Sequence, residues 1–298
     1  MKKIAFIGLG KMGFGVAENI SRLGKYELSG MDQNPQVRVD FEAIGGQFFS
    51  DIKTLLADPS PKVVWVMLPA GTVTNQILRE AAAYLKPDDV LVDAGNSKYT
   101  DTIANAAYCD SQQVTFLDVG TSGGMAGARN GACMMIGGDE NAFIQVESLF
   151  ADLCVENGYL YCGPSGSGHY LKMVHNGIEY GMMQSIGEGF HLLAHSPFAY
   201  QLDKVAKVFN HGSVIRSWLM ELTEAVFTEQ ENFETIAGVI PSSGEGAWTV
   251  EEALKRKVSL PVITQALMVR YASEDEDKLN EKLVALLRNQ FGGHEVLR

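Results

Sequence analysis

Short strand-like runs and stretches of helical period alternate along the first half of the chain. The runs fall at residues 4–7, 26–32, 62–69, 89–96, 114–120 and 133–138, bounded mostly by Gly, Pro, Asp or Asn. Between some of them lie helical segments such as TVTNQILREAAAYL at 72–85. Alternation of this kind predicts a mainly parallel, doubly wound sheet. At YCGPSGSGH (161–169) the chain is punctuated by Gly, Ser and Pro, and the strand pattern fades beyond it. Helical period then dominates over 168–194, 200–210, 213–226, 249–256, 260–272 and 275–290. The pattern predicts an α/β domain over 1–163 and an all-helical domain over 164–298.

The first strand runs straight into Gly8, Gly10 and Gly13, in G-x-G-x-x-G spacing, and a helix follows. Such glycines allow a tight turn and close approach of backbone to a pyrophosphate, which the free N–H groups of the helix N-terminus then face. The first domain is therefore expected to be a Rossmann-like, dinucleotide-binding sheet. The second strand ends at Asp32, 19 residues beyond Gly13, and Gln33 and Asn34 follow with no arginine. A carboxylate there accepts ribose hydroxyls and repels a 2′-phosphate, which favours NAD over NADP. Ligands of such sheets sit at the carboxyl ends of the strands. Those ends carry LPAG (68–71), AGNS (94–97) and GTSGGMAGARNGA (120–132). The last reads as a glycine-rich loop whose backbone N–H groups could clasp a carboxylate or hydroxyls.

Opening the second half, KMVHNGIEYGMM (172–183) sets Lys172, His175, Asn176 and Glu179 at i, i+3, i+4 and i+7. At about 100° per residue these four share one helix face. A polar stripe is commonly solvated surface; here it follows a cofactor-type sheet and is flanked by glycines.

Composition narrows the classes. Hydrophobic residues make up 46% and charged residues 20%, as in an ordinary globular chain. The formal net charge of -12 argues against nucleic acid and anionic membrane as partners. The start, MKKIAFIGLGKMG, is too short in its apolar part and too glycine-broken for a signal peptide, and no apolar run approaches membrane-spanning length. Cys109, Cys133, Cys154 and Cys162 form no C-x-x-C pair, which suggests free thiols in a reducing, cytoplasmic compartment and no metal site.

GLGKMG, DAGNS, DVGTSGGMAGARNG, GHYLKMVHNGIEYGMMQ and the ending RNQFGGH together resemble, in order, the 6-phosphogluconate dehydrogenase family of the β-hydroxyacid dehydrogenase superfamily. The likeness spans nearly the whole chain and fits a short form with one helical unit. It implies oxidative decarboxylation of 6-phosphogluconate to ribulose 5-phosphate and CO2. It implies that Gly8, Leu9, Gly10, Lys11, Met12, Gly13, Asp32, Gln33, Asn34, Leu68, Pro69, Ala70 and Asn96 bind the dinucleotide. Asn96, Ser122, Gly123, Gly124, His175 and Asn176 would hold the sugar acid, and Tyr180 and Arg270 its phosphate. Arg288 and His294 would reach into the site of a neighbouring subunit, in a homodimer or a dimer of dimers. Lys172 is then the base for the C3 hydroxyl and Glu179 the acid for C1 of the enediol left after CO2 departs. The two stand about 10 Å apart along the helix.

Two features depart from the family pattern. The family's GTGKWT loop reads GEGAWT here, so a phosphate-binding lysine is replaced by Ala247. Asp32-Gln33-Asn34 stands where NADP-using members typically have Asn-Arg-Thr. The alternatives are a non-decarboxylating dehydrogenase of a small β-hydroxyacid such as 3-hydroxyisobutyrate, and a noncatalytic dinucleotide sensor.

Overall fold

The fold of residues 2–229 and 233–297 is described from a computed structural model. The chain divides into two compact units, Met1–His175 and Asn176–Arg298. The division falls inside one long helix.

The first unit opens with β1 (Lys2–Ile7), α1 (Lys11–Arg22), β2 (Tyr26–Met31), α2 (Val37–Ala43), β3 (Gln47–Phe48) and α3 (Ile52–Leu55). It continues with β4 (Lys62–Val66), α4 (Thr72–Ala82), β5 (Val90–Asp93), α5 (Tyr99–Ser111) and β6 (Thr115–Ser122). Then follow α6 (Gly124–Asn130), β7 (Ala132–Gly138), α7 (Glu140–Leu153), β8 (Cys154–Gly163) and the start of α8 (Ser167–Ala194).

The strand order is β3-β2-β1-β4-β5-β6-β7-β8. The first six strands are parallel; β7 pairs antiparallel with β6 and parallel with β8. Helices cover both faces, so central strands such as β4 and β5 are buried at every position and read as continuous apolar runs. Successive side chains alternate between two cores. Ile4, Phe6, Trp65 and Val92 pack with Val16, Phe41 and Phe150 on one face. Ala5, Ile7, Val64, Val66 and Leu91 pack with Leu78 and Cys109 on the other. The chain leaves β1 towards β2 and returns on its other side as β4, so the switch point of the sheet lies between β1 and β4.

Two expectations need correction. The glycine-rich stretch at 120–132 is not one loop: Ser122 ends β6, and Gly124–Asn130 forms α6. Its small residues let α1 pack close; a Cβ on Gly15 would lie 3.0 Å from the Ala128 Cβ. The stretch before the 161–169 junction is the strand β8. With a single buried position, Gly158, and irregular register against β7, it lacks a clear apolar period.

The second unit takes the rest of α8 with α9 (Leu202–Asn210), α10 (Trp218–Glu229), α11 (Glu245–Arg256), α12 (Pro261–Glu274) and α13 (Leu279–Gly292). Its buried clusters are small: Tyr180 with Ala266 and Leu267, and Phe190 with Ala206 and Met220. Large apolar side chains remain exposed, among them Leu283, Leu287 and Phe291 on α13, which has no buried residue. A cavity of about 760 Å³ between α8 and α10 is lined by Met183, Phe190, Leu219, Val226 and Phe227. No described helix is long and apolar enough to cross a membrane. The four cysteines are free, and burial pushes the thiols of Cys109 and Cys154 up to about 12.

Candidate active site

The dinucleotide end of the site grows from the turn after β1. Gly8 has φ of +98°, and a Cβ there would stand 2.5 Å from the Met67 carbonyl oxygen. A Cβ on Gly13 would stand 2.2 Å from the Gly8 carbonyl oxygen, so the turn and α1 close only on glycine. Gly10, by contrast, is exposed with open space around it, and it begins α1 with no side-chain cap and no acid in the first turn. Lys11 is exposed and Met12 half-buried beside it. An uncapped helix start with backbone open to solvent suits a pyrophosphate.

Just past β2, the Leu9 N–H donates to Asp32 Oδ2 at 2.7 Å, and the Asn34 N–H donates to Oδ1 at 2.8 Å. The carboxylate thus ties the glycine turn to the β2 end. With about four acceptor positions it keeps capacity for ribose hydroxyls. Gln33 and Asn34 are exposed beside it. These residues fit NAD: an uncapped helix terminus for the phosphates and a fixed carboxylate for the ribose.

After β4, Leu68 is half-buried and Pro69 and Ala70 are exposed, with the Thr74 hydroxyl donating to the Pro69 carbonyl at 2.6 Å. After β5, Asn96 takes a left-handed φ of 54°. Its Oδ1 accepts the Thr121 N–H at 2.9 Å and its Nδ2 donates to the Thr121 carbonyl at 3.4 Å. Its amide is therefore engaged with the end of β6, leaving one N–H for a ligand.

The carboxyl end of β6 meets the first turns of α8. Ser122 Oγ lies 3.1 Å from His175 Nε2, and Gly123 and Gly124 follow at the start of α6. Lys172 is 5% exposed, and its stem lies over Gly120, where a Cβ would sit 2.3 Å from the Lys172 Cβ. Thus Lys172, His175, Ser122, Gly123 and Gly124 come together in the first unit.

In the second unit, the same unbroken helix carries Asn176 (buried), Glu179 (half-buried) and Tyr180 (buried). The Arg270 guanidinium stacks 3.4 Å over the Tyr180 ring and donates to the Pro241 carbonyl at 3.1 Å. The Tyr180 hydroxyl is buried and has no hydrogen-bond partner among the described residues. Ala247 packs half-buried against the Tyr180 cluster. Arg288 and His294 are exposed on α13 and the turn after it, and neither joins that cluster.

The sequence reading missed Asp118. It sits in the middle of β6, fully buried, and accepts the N–H of Gly166 at 2.7 Å and of His169 at 2.9 Å. Burial pushes its carboxyl up, against the pull of His169 and the two N–H groups. The available signal was a lone acid inside the apolar run VTFLDVG. Among the described residues no cluster of three or more His, Cys, Asp or Glu side chains could hold a metal ion.

Family models describing the NAD-binding domain and the C-terminal domain of 6-phosphogluconate dehydrogenase match residues 3–163 and 168–296. A Bacillus subtilis protein provisionally named a 6-phosphogluconate dehydrogenase is 48% identical, over 98% of this chain and 98% of its own. The NAD(+)-dependent, decarboxylating 6-phosphogluconate dehydrogenase of Haloferax volcanii is 38% identical, over 99% of each chain. Among solved structures, Plasmodium falciparum 6-phosphogluconate dehydrogenase, studied with its cofactor NADP+ and its substrate 6-phosphogluconate, superposes with a TM-score of 0.81. It is 27% identical, over 99% of this chain and 66% of its own.

Proposed function

The chain belongs to the 6-phosphogluconate dehydrogenase family, and from that premise we propose that it oxidatively decarboxylates 6-phosphogluconate to ribulose 5-phosphate and CO2, with NAD as cofactor. The observation that carries the reading is Lys172, buried over Gly120 beside the Ser122–His175 pair, on the same unbroken helix as Glu179.

Bound NAD, held by the glycine turn and Asp32, supplies the acceptor for the hydride at C3. Every proton is handled by the chain. Lys172, as the free amine, takes the proton of the C3 hydroxyl. Once charged, it faces the C3 carbonyl oxygen and stabilises the negative charge that gathers there as the C1 carboxylate leaves as CO2. Lys172 returns its proton to that oxygen, giving an enediol. Glu179, in its acid form, protonates the former C2, which becomes C1 of ribulose 5-phosphate, and the proton on the former C3 oxygen goes back to Lys172. The electron sink is the ketone made by oxidation. Ser122, Gly123, Gly124, His175 and Asn176 orient the sugar acid, with Asn96 between it and the cofactor.

Asp32 supports NAD over NADP: a carboxylate that already orders the turn repels a 2′-phosphate. For the substrate phosphate, the unpaired Tyr180 hydroxyl and the stacked Arg270 supply a donor and a cation. Ala247 supplies none. We assign the missing charge to Arg288 and His294 of a second copy, in a homodimer or a dimer of dimers. The exposed apolar face of α13 supports such an assembly. The free thiols support a cytoplasmic location.

The test is a matrix of NAD and NADP against 6-phosphogluconate and 3-hydroxyisobutyrate, reading CO2 and reduced cofactor together. The expected result is CO2 from 6-phosphogluconate, a higher kcat/KM with NAD, and near-abolished oxidation in Lys172→Met with NAD binding intact. In Glu179→Gln, enediol protonation falls more than hydride transfer. Reduced cofactor without CO2, or a preference for NADP, rejects the corresponding assignment.

A further inference from the structure

Among the described residues, two apolar surfaces of the second unit stay uncovered in one copy of the chain. The first is the cavity of about 760 Å³, which α8 lines from Met183 to Ala194 and α10 from Leu219 to Phe227. The second is a stripe on α13. Leu279, Leu283, Leu286, Leu287 and Phe291 stand at i, i+4, i+7, i+8 and i+12, so they share one helix face, and all five are exposed. A contiguous apolar face left in water marks an interaction site.

The two surfaces match. At 1.5 Å per residue the α8 wall is about 16 Å long and the α13 stripe about 18 Å. The cavity lining contains no Lys, Arg, Asp or Glu among the described residues, as suits the apolar face of a helix. Exposed Glu188 and Glu221 flank the wall in sequence, and exposed Lys282 flanks the stripe, so the rim charges are of opposite sign. In its own chain α13 buries no residue and supplies none of that lining, so the helix that fills the groove comes from another copy.

We propose that α13 of a second copy lies in the groove between α8 and α10, antiparallel to α8, and that the exchange is reciprocal, as a two-fold dimer requires. The direction follows from the site. Asn289 Nδ2 donates to the His294 carbonyl at 2.8 Å, which ties the turn after α13 to the helix end. Arg288 and His294 therefore travel with the C-terminal end of α13. With that end at Met183, they arrive about 5 Å along α8 from Tyr180, over which Arg270 stacks. The opposite direction would leave them at Ala194, about 20 Å away. The inference rests on the reading of Tyr180 and Arg270 as the phosphate end of the site, and adds to it the seat and the direction of the donated helix.

The experiment uses Val226→Glu in the groove and Leu287→Glu on the stripe, with Arg288→Ala beside them. Val226 and Leu287 are exposed in a single copy, so their variants keep the fold. Sedimentation velocity gives the assembly, and steady-state kinetics give KM for 6-phosphogluconate and for NAD. Wild type should be at least dimeric. Each glutamate would bury an unpaired charge at the interface, so each variant should associate about tenfold or more weakly. In each, KM for 6-phosphogluconate should rise about tenfold or more while KM for NAD holds, because the phosphate loses its charged partners. An equal mixture of the two should regain dimers, since a mixed dimer has one groove and one α13 that meet without either substitution. A monomeric wild type overturns the proposal, and so does either variant that stays dimeric with the wild-type KM. An apolar dye such as anilinonaphthalene sulfonate that binds the wild-type oligomer but not Val226→Glu also overturns it, because the groove is then open to a small ligand. Arg288→Ala separates the two readings: it should raise KM for 6-phosphogluconate and leave the dimer whole. An unchanged KM in that variant sinks the tail assignment, whereas sedimentation of the other two still decides the seat.

Discussion

Gly120→Ala puts the docking of α8 under direct strain. The added Cβ would lie 2.3 Å from the Lys172 Cβ, 3.0 Å from its Cγ and 3.1 Å from the Gly168 carbonyl oxygen. Carbon atoms rest about 3.5–4.0 Å apart, so the helix or the strand must give by more than about 1 Å. Two of the three clashes are with the base itself and the third is with helix backbone, so no flexible side-chain end can turn aside. Overpacking of this kind costs about 1–3 kcal/mol. For a unit of this size that is a fall of roughly 2–10 °C in melting temperature. Catalysis should suffer more, since a misplacement of about 1 Å can cost about 100-fold in rate. Lys172 and His175 would move together on α8 relative to Ser122, which stays at the end of β6, so the 3.1 Å Ser122–His175 contact would be disturbed as well. The assay is steady-state turnover of 6-phosphogluconate, with NAD affinity by titration as the control. We expect kcat about 100-fold down, NAD affinity within about twofold of wild type, and the moderate loss of melting temperature. A variant with kcat within threefold of wild type and an unchanged melting temperature would refute the view that this contact places the base.

Two further outcomes follow from other parts of the chain. Asp152 bonds Lys25 Nζ at 2.7 Å and the Tyr26 hydroxyl at 2.8 Å; burial raises its carboxyl, but those two hydrogen bonds and the charges of Lys25 and Lys2 together outweigh it and the net shift is downward. A depressed acid stabilises the fold above its unfolded value near 4 and loses that contribution as pH falls through its lower folded value. Asp152→Asn should therefore cost about 1 kcal/mol in urea unfolding at pH 7, and a loss that persists undiminished in acid would show that packing, not charge, is at stake. For the shared tail, Lys172→Met and a truncation before Arg288 should each be inactive; co-refolded, they should regain activity in mixed dimers. Mixed dimers that form and stay inactive would exclude a donated tail.

Elements with strong local signals stood close to their expected places. The segment expected at 168–194 is α8 (Ser167–Ala194), and that expected at 260–272 is α12 (Pro261–Glu274). Where the signal depended on neighbours it was weaker. The β8 strand has a single buried position, so its alternation is faint, and what makes it a strand is pairing with β7. Likewise α6 looks like a loop by composition; its glycines and alanines are the small surface on which α1 packs.

What the sequence determined by itself is local: the glycine turn into α1, the acid at the end of β2, and the face shared by Lys172, His175, Asn176 and Glu179. Each is a consequence of backbone geometry over a few residues, which residue spacing encodes directly. What only the tertiary structure decided joins distant segments. The Asn96 amide is committed to Thr121, 25 residues away. Arg270 lies over Tyr180, which precedes it by 90 residues. Asp118 clamps a helix that begins about 48 residues later, and Gly120 opens a slot for that helix's lysine. Those contacts depend on which strands are neighbours, in which register, and how closely α8 descends onto β6. They are products of packing among segments far apart in the chain, and no local period carries them.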